Sequence, residues 1–386
     1  MKALLVGVAF VMAACAQPTA ATLTPSPSAL TTPSASSPAP SPAAPSPTPA
    51  PTLDDSYAVF VQNFLVPGAL KYTLSIAASD GLVVASTTAR TRTVPNVQVG
   101  NLSTSNTTLY YLDGDSDVRF LRPDRSTGLV THIALGPHQA AAFAVSPDDL
   151  RIAVSVLDYT RYPVSTRLYV ENLHGGGNHI ELFSSPSVLE WPVGWHAGHL
   201  VLALGIDLPP QNTFDGFENA QGYHVVNAQS GTRLFSLCAG EESYVPESSG
   251  GAVCLDNETA SVASWDGRTR SLPLARKPDA TSGVCSLIGP LSSGGEVATN
   301  VVSSSQGGCG SGPAIFLVSA LGGVSAQPVT PSAVPVGWID ATNLVVNLGQ
   351  TSASPAPAWA ILNVGTGALV RIQTSGFLAA TLPGGL

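Results

Sequence analysis

Pro192-Val193-Gly194-Trp195, followed by Leu200-Val201-Leu202-Ala203-Leu204-Gly205, recurs later in the chain as Pro335-Val336-Gly337-Trp338, followed by Leu344-Val345-Val346-Asn347-Leu348-Gly349. From Trp195 to Trp338 is a step of 143 residues. Each copy leads on to an apolar run that ends in Asn and a small-residue turn, Asn227-Ala228-Gln229-Ser230-Gly231 and Asn363-Val364-Gly365-Thr366-Gly367. Asn and Gly supply the positive φ that tight hairpin turns need. Asn172-Leu173-His174-Gly175-Gly176 is a third copy of that turn. Leu200–Leu204 is apolar at every position, the pattern of a strand buried on both faces.

Outward from these copies, short β-rich runs fill the chain, among them Tyr72–Ala77, Thr108–Leu112, Ile152–Val156, Arg167–Val170, Gly222–Val226, Ile315–Val318 and Trp359–Leu362. Turn clusters such as Asp113-Gly114, Gly175-Gly176-Gly177 and Asp266-Gly267 separate them, and no helical periodicity is sustained. The stretch from Leu53 to Leu386 divides by seven into units of about 48 residues, and 143 is close to three of them. Six or eight units fit that spacing worse. Four short strands per unit at this period is the signature of a β-propeller blade. The fold expected is therefore all-β, a propeller of seven four-stranded blades over 53–386, with Phe377–Leu382 pairing near the first strands to close the ring.

Ser146-Pro147-Asp148-Asp149-Leu150-Arg151-Ile152-Ala153-Val154 resembles the Ser-Pro-Asp-Gly-(Lys/Arg)-(Arg)-Ile-Ala-(Phe/Val) element of TolB-type and WD-repeat-like propellers. In that element the Pro-Asp-Gly forms a hairpin turn between inner strands. Here Asp149 stands in place of the turn Gly, and Ser264-Trp265-Asp266-Gly267 is a weaker echo. The resemblance covers about one blade directly and implies the fold; propellers host many functions.

The chain has 386 residues with 16 basic and 25 acidic side chains, a formal charge of −9. Too few cations are present to neutralise a run of phosphates, which excludes nucleic acid as a partner. Met1-Lys2 followed by an apolar run to Ala14 reads as an export signal, residues 1–14, too short to span a bilayer. Val11-Met12-Ala13-Ala14-Cys15 resembles the lipobox of bacterial lipoproteins, with Met12 in place of the usual Leu. That resemblance implies that Cys15 is lipidated and anchors the chain to the cell membrane from outside the cytoplasm. Residues 16–52 hold 11 Pro among Ser, Thr and Ala without one charge. Such a composition does not fold, so 15–52 is expected to be a disordered, PPII-rich linker reaching on the order of 115 Å.

Four cysteines remain: Cys238, Cys254, Cys285 and Cys309. An even number in an exported chain points to disulfides. Cys238–Cys254 with Cys285–Cys309 is the favoured pairing because each closes a short loop; free thiols are the alternative, and no C-x-x-C supports zinc.

Asp113-Gly114-Asp115-Ser116-Asp117 with Asp124 has part of a calcium-loop pattern, but Val118 and Asp124 occupy positions where such a loop uses Gly and Glu. A solvated hairpin turn explains the same residues. His196 and His199, with His174 and His179, lack the helical spacing and the Glu of zinc hydrolases, and His224 reads as a hydrogen-bonded strand residue. Gly307–Gly312 has no following Lys and helix, so it reads as a hairpin loop. Glu241-Glu242, Asp207 and Asp215 are the carboxylates available for glycoside chemistry. Trp191, Trp195, Trp265, Trp338 and Trp359 read as blade core, with sugar stacking the alternative. No nucleophile motif, catalytic group, cofactor site or metal site is assigned. The expected function is that of a membrane-tethered, monomeric binding or assembly module for a protein or small ligand. The alternative is a propeller hydrolase or lyase acting on an extracellular glycan or lactone.

Overall fold

In a computed structural model, the residues described are 56–66, 69–92, 102–161, 163–205, 220–239, 242–243, 248–256, 259–272, 284–287, 289–303, 312–319, 324–349 and 358–386. The chain divides into Met1–Pro49 and Ala50–Leu386, and all described residues lie in the second unit. The expected signal, Cys15, the linker and Cys309 fall outside them, as does the side chain of Cys285.

Every described regular element is a β-strand. β1 (Tyr57–Val66), β2 (Ala69–Ala78) and β3 (Val83–Arg92) begin the first sheet. The second contains β4 (Leu102–Thr104), β5 (Leu109–Asp113), β6 (Asp117–Leu121) and β7 (Thr127–His132). The third has β8 (Gln139–Val145), β9 (Arg151–Asp158), β10 (Ser165–Asn172) and β11 (Ile180–Ser185). The fourth has β12 (Glu190–His196), β13 (His199–Leu204), β14 (Tyr223–Asn227) and β15 (Arg233–Leu237). The fifth has β16 (Glu242–Ser243), β17 (Ala252–Asp256), β18 (Thr259–Ala263) and β19 (Thr269–Ser271). The sixth runs through β20 (Val284–Leu287), β21 (Glu296–Ser303), β22 (Gly312–Ser319), β23 (Val324–Trp338), β24 (Asn343–Asn347), β25 (Trp359–Asn363) and β26 (Leu369–Arg371). β27 (Phe377–Leu382) returns to pair with β1, Tyr57 opposite Leu382, and completes the first sheet.

The fold is a β-propeller. Five sheets are antiparallel and four-stranded, and their first strands stand side by side around the ring, β27 beside β4, β4 beside β8, β8 beside β12 and β23 beside β27. The expected count of seven separate blades is corrected to six sheets, because one of them is seven-stranded. The cause is β23. Its first half pairs with β22, its second half with β24, and at Pro328–Ala333 the register jumps while the strand stays unbroken. Elsewhere a loop such as 133–138 separates the outermost strand of one sheet from the innermost of the next.

The inner strands are buried on both faces, and this is why they read as continuous apolar runs, whereas outer strands such as β15 and β19 are exposed along most of their length. On β5, Tyr111 packs with Tyr72 and Leu74 of the first sheet while Tyr110 packs with Phe143 and Ile152 of the third. On β13, Leu200 and Leu202 face the third sheet, and Val201 and Ala203 face the fifth. In the sixth sheet Ala298 and Ile315 pack against Trp338 and Leu344, so the two halves joined by β23 cover each other. Each fully buried Leu, Val or Ile side chain contributes about 1.5–3 kcal/mol relative to exposure.

The two copies of the opening motif share one structural device. Pro192 pairs with Leu202 and Gly194 with Val201; Pro335 pairs with Val346 and Gly337 with Val345. Val193 and Val336 are thus the extra residues of two equivalent β-bulges, the sheet position that tolerates proline. The bulge carries each Trp to the strands that precede it around the ring, the third sheet for Trp195 and the first half of its own sheet for Trp338. Trp195 Nε1 donates to the Ala144 carbonyl at 3.1 Å and Trp338 Nε1 to that of Pro290 at 2.9 Å. Ser146–Arg151 forms the expected hairpin turn between β8 and β9, with Asp149 at φ 59°, the conformation for which the resembling element uses Gly. Ser264–Gly267 forms a similar turn, but between the two outer strands of its sheet.

The turn between the third and fourth strands leans on the outermost strand of the preceding sheet in four described places. Gln373 N–H donates to the Gly81 carbonyl, Arg125 Nε to the Val84 carbonyl, and Gly267 lies on the Phe235 ring. Gly231, at φ 69°, lies so close to the Leu182 carbonyl that a Cβ would collide with it. Cys238 and Cys254 are joined by a disulfide between the fourth and fifth sheets.

Candidate functional site

Strand directions alternate, so the connections of the ring fall at two ends. One end bears the turns between first and second and between third and fourth strands, none longer than eight residues. The four longest connections, 93–101, 205–222, 272–283 and 348–358, all fall at the other end. Ligand-contacting residues concentrate in connections carried by a rigid scaffold.

Several described polar groups at that long-connection end are engaged with one another. Asp113 and Asp117 face each other at the foot of the β5–β6 turn, where Asp113 accepts the Arg90 N–H at 3.2 Å and lies 3.7 Å from Arg119 Nε. Asp117 is 2.7 Å from His132 Nδ1. Asp124 lies in another turn, beyond β6, where it caps Ser126. That hydrogen-bonding holds its carboxyl below the usual carboxylate range. The carboxylates of the calcium-like pattern therefore serve hairpins. On the third sheet, Gln139 Nε2 donates to Asp158 at 3.1 Å, and Asp158 also accepts the Thr160 N–H at 2.8 Å. Hydrogen bonds from Thr160 are the main cause of the lowered Asp158 carboxyl.

Among the described residues, Glu190 and His224 form the most buried acid–histidine pair, with side chains 10% and 15% exposed. Glu190 opens β12 and His224 lies on β14, brought to one face because Glu190 pairs with Leu204 and His224 with Leu202. Oε1 of Glu190 is 3.0 Å from His224 Nδ1, and Arg233 donates to Nε2 at 3.2 Å. Both ring nitrogens of His224 are thus engaged, Nδ1 with Glu190 and Nε2 with Arg233. Ser155 Oγ donates to the Glu190 carbonyl at 2.9 Å and ties the pair to the third sheet. The hydrogen-bonded strand residue read at His224 is present; Glu190 and Arg233 escaped the sequence reading. A lone acid before an apolar run, Glu190-Trp191-Pro192-Val193, was the available signal.

The histidines are not gathered. His196 and His199 face each other across β12 and β13 at the short-turn end, while His179 lies on the third sheet, 2.9 Å from Glu171 and stacked on Tyr169. Among the described residues no three His, Cys, Asp or Glu side chains are placed to hold a metal ion. Asp207, Asp215, Glu241 and Gly307–Ser311 lie outside the described residues, as does the side chain of Glu242. All five tryptophans are buried in core clusters.

No family model matches the chain, and no curated protein matches it. Solved structures resemble it loosely. An uncharacterised protein of Listeria monocytogenes EGD-e superposes with TM-score 0.42 at 7% identity, over 83% of this chain and 93% of the other. An oligogalacturonate lyase in complex with manganese gives 0.33 at 8% identity, over 83% and 86%. Prolyl oligopeptidase B from Galerina marginata gives 0.32 at 8% identity, over 84% of this chain but 43% of that enzyme. At these scores the likenesses carry no argument about chemistry, and the fold stands on the strand pairing of the chain itself.

Proposed function

We propose that the chain is an exported lipoprotein, anchored through Cys15, whose propeller binds or assembles with a partner and performs no chemistry, using the end of the ring that bears the long connections. The distribution of connection lengths supports this most directly: every connection longer than eight residues falls at that end. The described polar groups support it too, since Asp113, Asp117, Asp158 and Glu190 there each have a hydrogen-bonding or ion-pair partner, the arrangement of a rigid recognition surface. The export signal, the lipobox-like Val11–Cys15 and the proline-rich linker supply the address.

The test is in-cell crosslinking of the tagged, anchored chain, with a control that keeps residues 1–52 and lacks the ring. A partner lost in that control, and lost again when 206–219 is replaced by a short Gly-Ser connection in an otherwise folded chain, is the expected result. Capture indifferent to that replacement, membrane retention of Cys15→Ser, or turnover of a glycan or lactone by the purified ring would overturn the reading.

A further inference from the structure

The segment Pro383–Leu386 leaves β27 and crosses the short-turn end of the ring without joining any sheet. Gly384 N–H donates to the Ser105 carbonyl at 2.7 Å on the second sheet. Gly385 passes Pro147 of the third. Leu386 N–H then donates to the Trp195 carbonyl at 3.0 Å on the fourth, and His196 Nδ1 donates to the Leu386 carbonyl at 2.7 Å. The Leu386 side chain is 7% exposed and sits where a Cβ on Gly194 would be.

Each wall of this path has its own reason to exist. The Ser105 turn is held by Ser105 N–H to Thr108 carbonyl at 2.9 Å, and it is tied to the third sheet by Asn106 N–H to the Pro147 carbonyl at 3.4 Å. The Trp195 carbonyl is presented by the β12 bulge, and Trp195 is fixed by its indole bond and by Arg151, 4.6 Å above its ring. Two carbonyls, one imidazole donor and one apolar socket stand ready for an extended peptide. Main-chain hydrogen bonds give such a groove affinity, and the socket gives it selectivity. The fit is also specific in backbone: a Cβ on Gly384 would collide with Thr104, and Gly385 holds φ 108°.

We infer that the short-turn end of the ring carries a peptide groove which Pro383–Leu386 fills in cis, and that its partner in trans is an extended segment of the same chemistry, two glycines followed by an aliphatic residue. The segment is then an autoinhibitory occupant, and displacement exposes the groove. This face is opposite to the one proposed above for ligand recognition, so either assignment stands without the other.

The experiment compares the intact chain, a chain lacking 383–386, and Leu386→Asp, which expels the socket residue without shortening the chain. The probe is the peptide Thr-Leu-Pro-Gly-Gly-Leu carrying a fluorophore at its amino end, read by anisotropy. The shortened chain and Leu386→Asp should bind it saturably, at least tenfold more tightly than the intact chain does. A probe with its first glycine replaced by alanine should bind at least tenfold more weakly. Near-ultraviolet circular dichroism reports whether each variant is folded. Folded variants that do not bind, or that bind no better than the intact chain, refute the inference. Unfolding of both variants would refute it as well, by assigning the segment to ring stability alone.

Discussion

If Pro-Val-Gly-Trp is one device used twice, removing its indole N–H should cost nearly the same at both sites. Trp195→Phe keeps an aromatic ring at a position 1% exposed and removes the donor to Ala144. The net hydrogen bond is worth about 0.5–1.5 kcal/mol. The smaller ring leaves space costing about 1 kcal/mol more. Trp195 also underlies Arg151, and the weaker face of Phe forfeits a few tenths of the roughly 0.5–1 kcal/mol of that stacking. The sum is about 2–3 kcal/mol. Trp338→Phe, at 7% exposure and with no cation described over its ring, should cost about 1.5–2.5 kcal/mol by the same terms. The two residues belong to different clusters, so the double variant should show the sum within about 0.5 kcal/mol. Urea unfolding followed by far-ultraviolet circular dichroism measures all three against the parent, with equal slopes as the check that the unfolded states match. A negligible loss at either site, or a coupling above about 1 kcal/mol, would refute the reasoning that the bulge exists to deliver the indole to the strands preceding it around the ring.

Three further outcomes are expected. The hydroxyls of Tyr159 and Thr166 are buried without a hydrogen-bond partner, so Tyr159→Phe and Thr166→Val should be neutral or stabilising by up to about 1 kcal/mol, read as a rise in Tm. Removing the Cys238–Cys254 bridge with a double Ser substitution opens a loop of 16 residues and should cost about 3 kcal/mol in urea unfolding, an effect that a reductant reproduces on the parent alone. Burial raises the phenol of Tyr169 to about 12 and pushes that of Tyr159 higher still. Their contribution to stability is complete below about pH 10, where an unfolded tyrosine begins to ionise, and is lost as pH rises through the folded values. Tyr159→Phe should flatten that alkaline loss, and an unchanged slope would count against burial of the phenol.

Where a local pattern sufficed, the sequence was readable. Trp195 and Trp338 announced equivalent strands because a bulge with proline and a seam with an indole impose residue types at fixed offsets. Asp149 announced a turn, since Asp is among the few side chains tolerated at positive φ. The sheet count failed for the opposite reason. Nothing local marks β23 as one unbroken strand that leaves β22 for β24, and only its pairing partners reveal one sheet in place of two. Glu190 gained its meaning from His224, 34 residues further on, through a register that spacing alone does not supply. The path of Pro383–Leu386 is invisible to composition, because its hydrogen-bond partners are the Ser105 and Trp195 carbonyls of two other sheets.

The pairing of Tyr57 with Leu382 sets a condition on synthesis. A ribosome delivers β1 early and β27 last, so the innermost position of the first sheet stays vacant while nearly the whole ring is translated. During that time β1 exposes an unsatisfied edge to any other strand in reach, and a second nascent copy can offer its own β27. The entropy of bringing the ends together grows only logarithmically with the length between them, so distance is a small penalty once the sheets have stacked. The order of arrival matters more than the distance: a chain released before Phe377 keeps its stacked sheets and an open seam, and it is the seam that decides whether a monomer or a chain of rings results.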